Sequence, residues 1–229
     1  MMDNLEFFKT SLEAAEPMVV ADAQAGLCIL VGAYVVDADG RVFSQRRSKT
    51  RRFCPGYWDN VGGHVEAGET LHQALAREMM EETGWALDRI LFCFGRRFWR
   101  DDRGQNVEYL VIATAQGNLT TPRLETDKVD KTAWITRHQI DTVLENGTAE
   151  DRDSQRRIFE HVFDLLKNLI DSGFVRSISR DGKVVVLEKD GARYIIRDAA
   201  KSTGGSTADF YRAGSGSIDV KIRLGQEVP

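Results

Sequence analysis

A chain of 229 residues, 42% hydrophobic and 29% charged, is long enough for one sizeable domain or a domain with a small appendage, and its composition excludes a disordered protein. The net charge of −4 argues against a nucleic-acid backbone as partner, because such proteins usually carry a basic face. The longest apolar run, Gly26 to Val36, is too short to cross a bilayer.

Residues 3–16 read as an amphipathic helix, with Leu5, Phe8, Leu12 and Ala15 at helical spacing. This makes residues 1–24 an N-terminal helical segment. Strands are expected at Leu27–Val36 and Arg41–Gln45 around Asp37-Ala38-Asp39-Gly40, whose Asp-Gly pair signals a turn. A basic loop (Arg46, Arg47, Lys49, Arg51, Arg52) and a Pro55-Gly56 turn follow. The spacing of Leu71, Ala74, Leu75 and Met79 predicts a helix over 70–83, started by Glu69 or Thr70 and stopped by Gly84. Strand-like runs return at Arg89–Phe94, Val107–Ala115 and Trp134-Ile135, the last entering a helix near His138–Glu145. A helix over 152–170 carries Ile158, Val162, Leu165, Leu166 and Leu169 on one side. The order of strands and helices across residues 25–170 points to an α/β fold, a mixed sheet packed between helices.

Residues 171–229 differ in texture. Asp181-Gly182 and Asp190-Gly191 punctuate runs at Val184–Glu188 and Arg193–Arg197, and a Gly/Ser/Thr-rich stretch leads to the alternating segment Asp219–Leu224. Period-two alternation is the mark of half-buried strands, so this reads as a small β-meander extension. Fewer than about 60 residues struggle to bury a core alone. The apolar face Val220, Ile222, Leu224 is therefore expected against the main domain or a second subunit, and a homodimer is one such arrangement.

The three cysteines, Cys28, Cys54 and Cys93, have no metal-ligand spacing, and their odd number argues against a disulfide framework. The opening Met-Met-Asp-Asn-Leu-Glu lacks the basic and apolar regions of a secretory signal. Both features suit reduced thiols in the cytoplasm.

The chemistry concentrates on the helix over 70–83. Residues three and four apart share a helical face, so Glu78, Glu81 and Glu82 project together and repel one another by a few tenths of a kcal/mol per pair. Such a cluster faces open solvent or has a cation nearby. Hard oxygen ligands favour Mg²⁺ or Mn²⁺ together with phosphate oxygens and water, and such an ion lowers the pKa of a bound water. Gly62-Gly63 leaves a bare backbone that a phosphate or metal can approach.

The segment Gly63-x5-Glu69-x7-Arg77-Glu78-Met79-x-Glu81-Glu82-x-Gly84-Trp85 resembles the Nudix box, matching its seven fixed positions without a gap; only Trp85, aromatic where an aliphatic residue is usual, departs. Val42-Phe-Ser-Gln-Arg-Arg-Ser and Pro55-Gly-Tyr-Trp-Asp look like the family's strand and turn before the box. The resemblance implies a three-layer α/β/α sandwich and an enzyme that cuts a phosphoanhydride bond in a nucleoside diphosphate linked to another group. A nucleoside triphosphate or a nucleotide sugar both remain open as the small-molecule substrate. It implies Glu78 and Glu82 as the main metal ligands and catalytic carboxylates, Glu81 as an assisting ligand, and the Gly63 carbonyl as a further ligand to Mg²⁺, for which Mn²⁺ substitutes. Glu69 and Arg77 take a supporting role as an ion pair fixing the loop on the helix. The general base is Glu82 or Glu78, or a carboxylate outside the box such as Glu125 or Asp130. Arg46 and Arg47, sent to opposite faces by strand alternation, are candidates for substrate phosphate, and Trp134 for stacking on the substrate base. Two rivals share the fold: a nucleotide-binding regulator, and an isopentenyl diphosphate isomerase, whose catalytic cysteine would stand where this chain has Gly62.

Overall fold

The computed structural model describes residues 4–102, 104–171, 175–178, 184–189, 192–197 and 206–224. It divides into two compact units, Met1–Phe163 and Asp164–Pro229.

The first unit opens with a difference from the sequence expectation. Residues 4–10 form a strand, β1 (Asn4–Thr10), and the helix α1 runs over Leu12–Gln24. Two physical causes separate them. Ser11 caps the helix, its hydroxyl accepting from Ala14 N at 3.2 Å, which fixes the start at Leu12. The segment before it is rich in β-favouring residues and pairs antiparallel with β6 (Ala86–Asp101), covering an edge that would otherwise be open.

The central sheet has the order β1-β6-β7-β2-β5, with β2 at Cys28–Val35, β5 at Val61–His64 and β7 at Gly104–Gln116. The β2–β7 pairing is parallel and the others antiparallel, a mixed sheet. The Asp37–Gly40 turn forms as expected: Asp37 Oδ1 accepts from Asp39 N at 3.0 Å and Arg41 N at 2.9 Å. Beyond the single bridge Val36–Val42 the two arms diverge, and β3 (Val42–Arg47) joins β4 (Trp58–Asp59) and β8 (Val129–Ile135) in a second, three-stranded sheet. The long β6 reaches well past the expected Phe94, because the arginines that hide its strand character are neutralised by neighbours: Arg96 by Glu6 and Asp22, Arg97 by Glu108.

Alternation sorts the two faces. Val31, Ala33 and Val35 of β2 stand beside Tyr109, Val111 and Ala113 of β7 and join one buried cluster with Leu12 and Ala15 of α1. The same cluster takes Leu71, Ala74, Leu75 and Met79 of α2 (Leu71–Thr83), the apolar stripe expected from the sequence. Leu75 and Met79 are fully buried, and each such side chain contributes roughly 1.5–3 kcal/mol of transfer free energy. On the opposite face Tyr34 lies edge-on to both Phe94 and Phe159, the latter from α3 (Ala149–Asp171). Helices therefore flank the sheet on both sides, an α/β/α arrangement. The expected helix near 138–145 is a 3-10 helix, Arg137–Val143.

The second unit contains a five-stranded antiparallel sheet in the order β13-β12-β11-β10-β9, with β9 at Val175–Ile178, β10 at Val184–Lys189, β11 at Ala192–Arg197, β12 at Ser206–Tyr211 and β13 at Val220–Leu224. The side chains of Val220, Ile222 and Leu224, and most of the Gly/Ser/Thr-rich stretch, lie outside the described residues. Among the described residues no helix is long and apolar enough to cross a membrane.

Candidate functional site

α2 presents the carboxylates, and its two ends are chemically defined. Thr70 Oγ1 accepts from Gln73 N at 3.2 Å while Gln73 Oε1 accepts from Thr70 N at 2.9 Å, a reciprocal cap. Gly84 ends the helix in the left-handed region, φ 70°, with its N–H on Met80 O at 3.0 Å. With the Leu71–Met79 stripe buried, the adjoining face carries Glu78, Glu81 and Glu82.

The loop before the helix is tied to it by one guanidinium. Arg77 Nε donates to Glu69 Oε1 at 3.0 Å, and Nη2 donates to Glu69 Oε2 at 3.0 Å and to the His64 carbonyl at 2.9 Å. Nη1 donates to Glu78 Oε1 at 2.8 Å. These bonds from Arg77 hold the Glu69 carboxyl below its ordinary range. Gly63, on β5, lies against the same carboxylate: a Cβ there would stand 2.3 Å from Glu78 Oε1. Only glycine fits without moving Glu78.

Glu82 turns inward. Its Oε2 accepts from Gln45 Nε2 at 2.8 Å and from Gly62 N at 3.1 Å. Burial pushes its pKa up to about 8, against the lowering effect of those two hydrogen bonds, and the charges of Asp59 and Glu78 add to the rise. Among the described residues Glu82 has no ion pair. Glu81 is the exposed member, its side chain 52% accessible and its Oε2 3.6 Å from Arg77 Nη1.

The three carboxylates thus share one face without converging. Among the described residues no three His, Cys, Asp or Glu side chains are grouped closely enough to hold a metal. The chemistry of the set is nonetheless that of a hard-cation site: carboxylate oxygens beside the bare backbone of Gly63, with no thiol among them. A divalent cation would also offset the burial of the unpaired Glu82, so the residues fit Mg²⁺ or Mn²⁺.

The other expected residues are engaged elsewhere. Arg46 pairs with Asp130 at 2.7 Å and its guanidinium lies 6.0 Å from the Trp58 ring. Arg47 pairs with Asp59 at 3.2 Å and donates to Phe53 O at 3.0 Å, so the two arginines do part to different partners. Glu125 is paired with Lys128. Trp134, expected as a platform for a substrate base, is packed instead in an aromatic cluster, 5.3 Å from Phe43 and 5.9 Å from Trp85, with its indole N–H on Leu119 O at 3.0 Å. The neighbour Trp85 explains this: the aromatic residue closing the box recruits Phe43 and Trp134 around itself.

Two groups were missed from sequence. Gln45 is 3% exposed and bridges Glu82 and the Asn60 carbonyl, the latter at 3.2 Å. Glu108, buried in β7, accepts from Asn60 Nδ2 at 3.1 Å and from Arg97 Nη2 at 2.7 Å. Gly32 makes room for that pair, since a Cβ there would lie 2.1 Å from Glu108 Oε1 and 2.3 Å from Asn60 Nδ2. One signal was available for Gln45: alternation puts it on the face of Phe43, a polar residue on the inward side of a strand.

The family model for the NUDIX domain matches residues 27–158. An isopentenyl-diphosphate Delta-isomerase of Streptomyces griseus is 26% identical over 146 residues, 61% of this chain and 73% of that protein. An uncharacterised Nudix hydrolase, lin0387 of Listeria innocua, is 28% identical over 130 residues, 55% of this chain and 73% of the relative. For two further curated relatives the match spans only 22% and 40% of their length. Among solved structures, a MutT protein from Methanosarcina mazei covers 62% of this chain and 95% of its own, with 24% identity and a TM-score of 0.47.

Proposed function

The chain belongs to the Nudix family, and from that premise we propose that it is a Mg²⁺-dependent diphosphohydrolase acting on a nucleoside diphosphate linked to a further group. A nucleoside triphosphate or a nucleotide sugar is the substrate class, and the substrate is a free small molecule in the cytoplasm, not a nucleic acid. The observation that carries the reading is Glu82, a half-buried carboxylate with no ion pair among the described residues, on the same helical face as Glu78 and Glu81.

In this reading Glu78, Glu82 and the Gly63 carbonyl would hold the cation, with Glu81 at the exposed margin. A bound Mg²⁺ supplies charge neutralisation on the diphosphate and a more acidic water. Arg77 bonds Glu69 and the His64 carbonyl as well as Glu78, so it would keep the loop in register with Glu78 free to be a ligand. The oxygen of a water forms a bond to one phosphorus. The anhydride P–O bond opposite breaks, its electron pair leaving on the departing phosphate, and a carboxylate takes the water's proton. Glu82 is assigned that role because Glu78, Asp130 and Glu125 each already face a cationic side chain. Arg46 and Arg47 reach substrate phosphate only by giving up Asp130 and Asp59.

The similarity to an isomerase does not carry over. Gly62 occupies the position of that enzyme's cysteine, and the Cys54 thiol is pushed up to about 11 by burial, the opposite of a reactive thiol. A regulatory binding module is disfavoured by a box that matches at every fixed position. Residues 171–229 are assigned to a β-rich extension of the family domain. The reading is tested by incubating the protein with a panel of nucleoside triphosphates and nucleotide sugars and Mg²⁺, and resolving products by chromatography. Cleavage of at least one compound at a phosphoanhydride is expected; an inert panel contradicts the hydrolase assignment.

A further inference from the structure

Gln45 lies outside the box, yet it is the side chain most closely joined to Glu82. Its position follows from strand alternation: β3 turns Phe43 and Gln45 to the same side, and Phe43 packs on Trp85 at the end of α2. A glutamine at an inward strand position loses its water, so each of its polar atoms requires a partner.

The nitrogen is fully used. Nε2 donates to the Asn60 carbonyl at 3.2 Å and to Glu82 Oε2 at 2.8 Å. The Asn60 carbonyl can only accept, so the NH₂ end must face it and the amide cannot be reversed. The carbonyl end is then fixed as well. Gln45 Oε1 is buried and has no donor among the described residues, on a side chain 3% exposed. An acceptor left in that state costs about 1–3 kcal/mol.

We propose that Gln45 is a positioning residue that fixes the orientation of Glu82 through Nε2, itself held by the Asn60 carbonyl. This rests on the reading of the α2 face that carries Glu78 and Glu82 as the catalytic site. The division of labour is clear in the bonds. Glu82 Oε2 is saturated by Gln45 and by Gly62 N, the latter at 3.1 Å, which leaves Oε1 to act. Gln45 itself neither gains nor loses a proton.

Two measurements test this. The first is a crystal structure of the wild-type protein with Mn²⁺ at a resolution that shows waters. Gln45 Nε2 within hydrogen-bond distance of Glu82 Oε2 is expected; a Glu82 carboxylate turned away from Gln45 overturns the proposal. The second compares wild type with Gln45→Met, close in shape but with no hydrogen-bonding end, on the best substrate of the nucleotide panel. Misplacement of a reacting group by about 1 Å costs on the order of 100-fold, so kcat is expected to fall about 10- to 100-fold with KM within threefold. Unchanged kcat, or a rise in KM alone, refutes the role. Should Gln45→Met not fold, the wild-type crystal structure still decides. Should the wild type hydrolyse nothing in the panel, the hydrolase reading fails while the crystal structure still judges the Gln45–Glu82 bond.

Discussion

Replacing Gly63 by alanine tests whether the bare backbone at this position serves Glu78. The new methyl would stand 2.3 Å from Glu78 Oε1, 2.5 Å from Cδ and 2.8 Å from Oε2. Ordinary contact starts near 3.4 Å, so the carboxylate must retreat by about 1 Å, and it can do so by rotating a flexible side chain. The backbone has no objection, since Gly63 is not in the left-handed region. The cost to the fold is therefore small, within the ±0.5 kcal/mol typical of substitutions that break nothing buried. The cost to chemistry is large, because about 1 Å of misplacement at a reacting group lowers the rate on the order of 100-fold. Thermal melting and steady-state kinetics with Mg²⁺ on the best panel substrate would be measured together, with Mn²⁺ affinity by titration calorimetry. A melting temperature within a few degrees of wild type, a collapse in kcat and weaker Mn²⁺ binding are expected. Wild-type kcat with wild-type Mn²⁺ affinity would refute the idea that Gly63 makes room for a ligating Glu78.

Activity should vanish in chelator and return with Mg²⁺ or Mn²⁺ but not require Zn²⁺, since no Cys/His cluster exists among the described residues; turnover in chelator would count against the mechanism. Arg77→Met should loosen the loop, removing bonds to Glu69, Glu78 and the His64 carbonyl; at about 1.5–3 kcal/mol for a charged hydrogen bond, melting should fall by several degrees, and an unchanged melting curve would show the clamp to be idle. Truncation after Ser172 should lower the melting temperature, the oligomeric state or substrate affinity if the extension packs on the domain or on a second subunit; a shortened protein identical in all three would make the extension dispensable.

How much of this could be read without coordinates depends on the range of the interaction. α2 was legible because everything that defines it is local: the Thr70–Gln73 cap, the Leu71–Met79 stripe and Gly84. The box residues came with it, and so did the Glu69–Arg77 pair. Residues 4–10 were misread because Leu5, Phe8, Leu12 and Ala15 mimic a helical stripe, while the competing interaction, the edge of β6, is about ninety residues away. The same applies to the second half of β6, whose arginines read as polar until Glu6, Asp22 and Glu108 arrive to neutralise them. The packing of Trp134 with Phe43 and Trp85 was not legible because that cluster exists only in three dimensions. Gln45 and Glu108 were overlooked for the complementary reason: a lone Gln or Glu in a strand reads as a solvated position until its burial is known.

The most direct test of the central claim is the hydrolytic rate of Glu82→Gln against wild type at saturating Mg²⁺, on the best substrate of the panel. Glutamine preserves the shape of the side chain but removes the negative charge and the ability to accept a proton. Loss of a group acting in the transition state is expected to lower kcat by on the order of 100-fold or more, with melting and far-UV circular dichroism unchanged. A folded Glu82→Gln protein that turns over at the wild-type rate would contradict the assignment of this helix face as the catalytic centre.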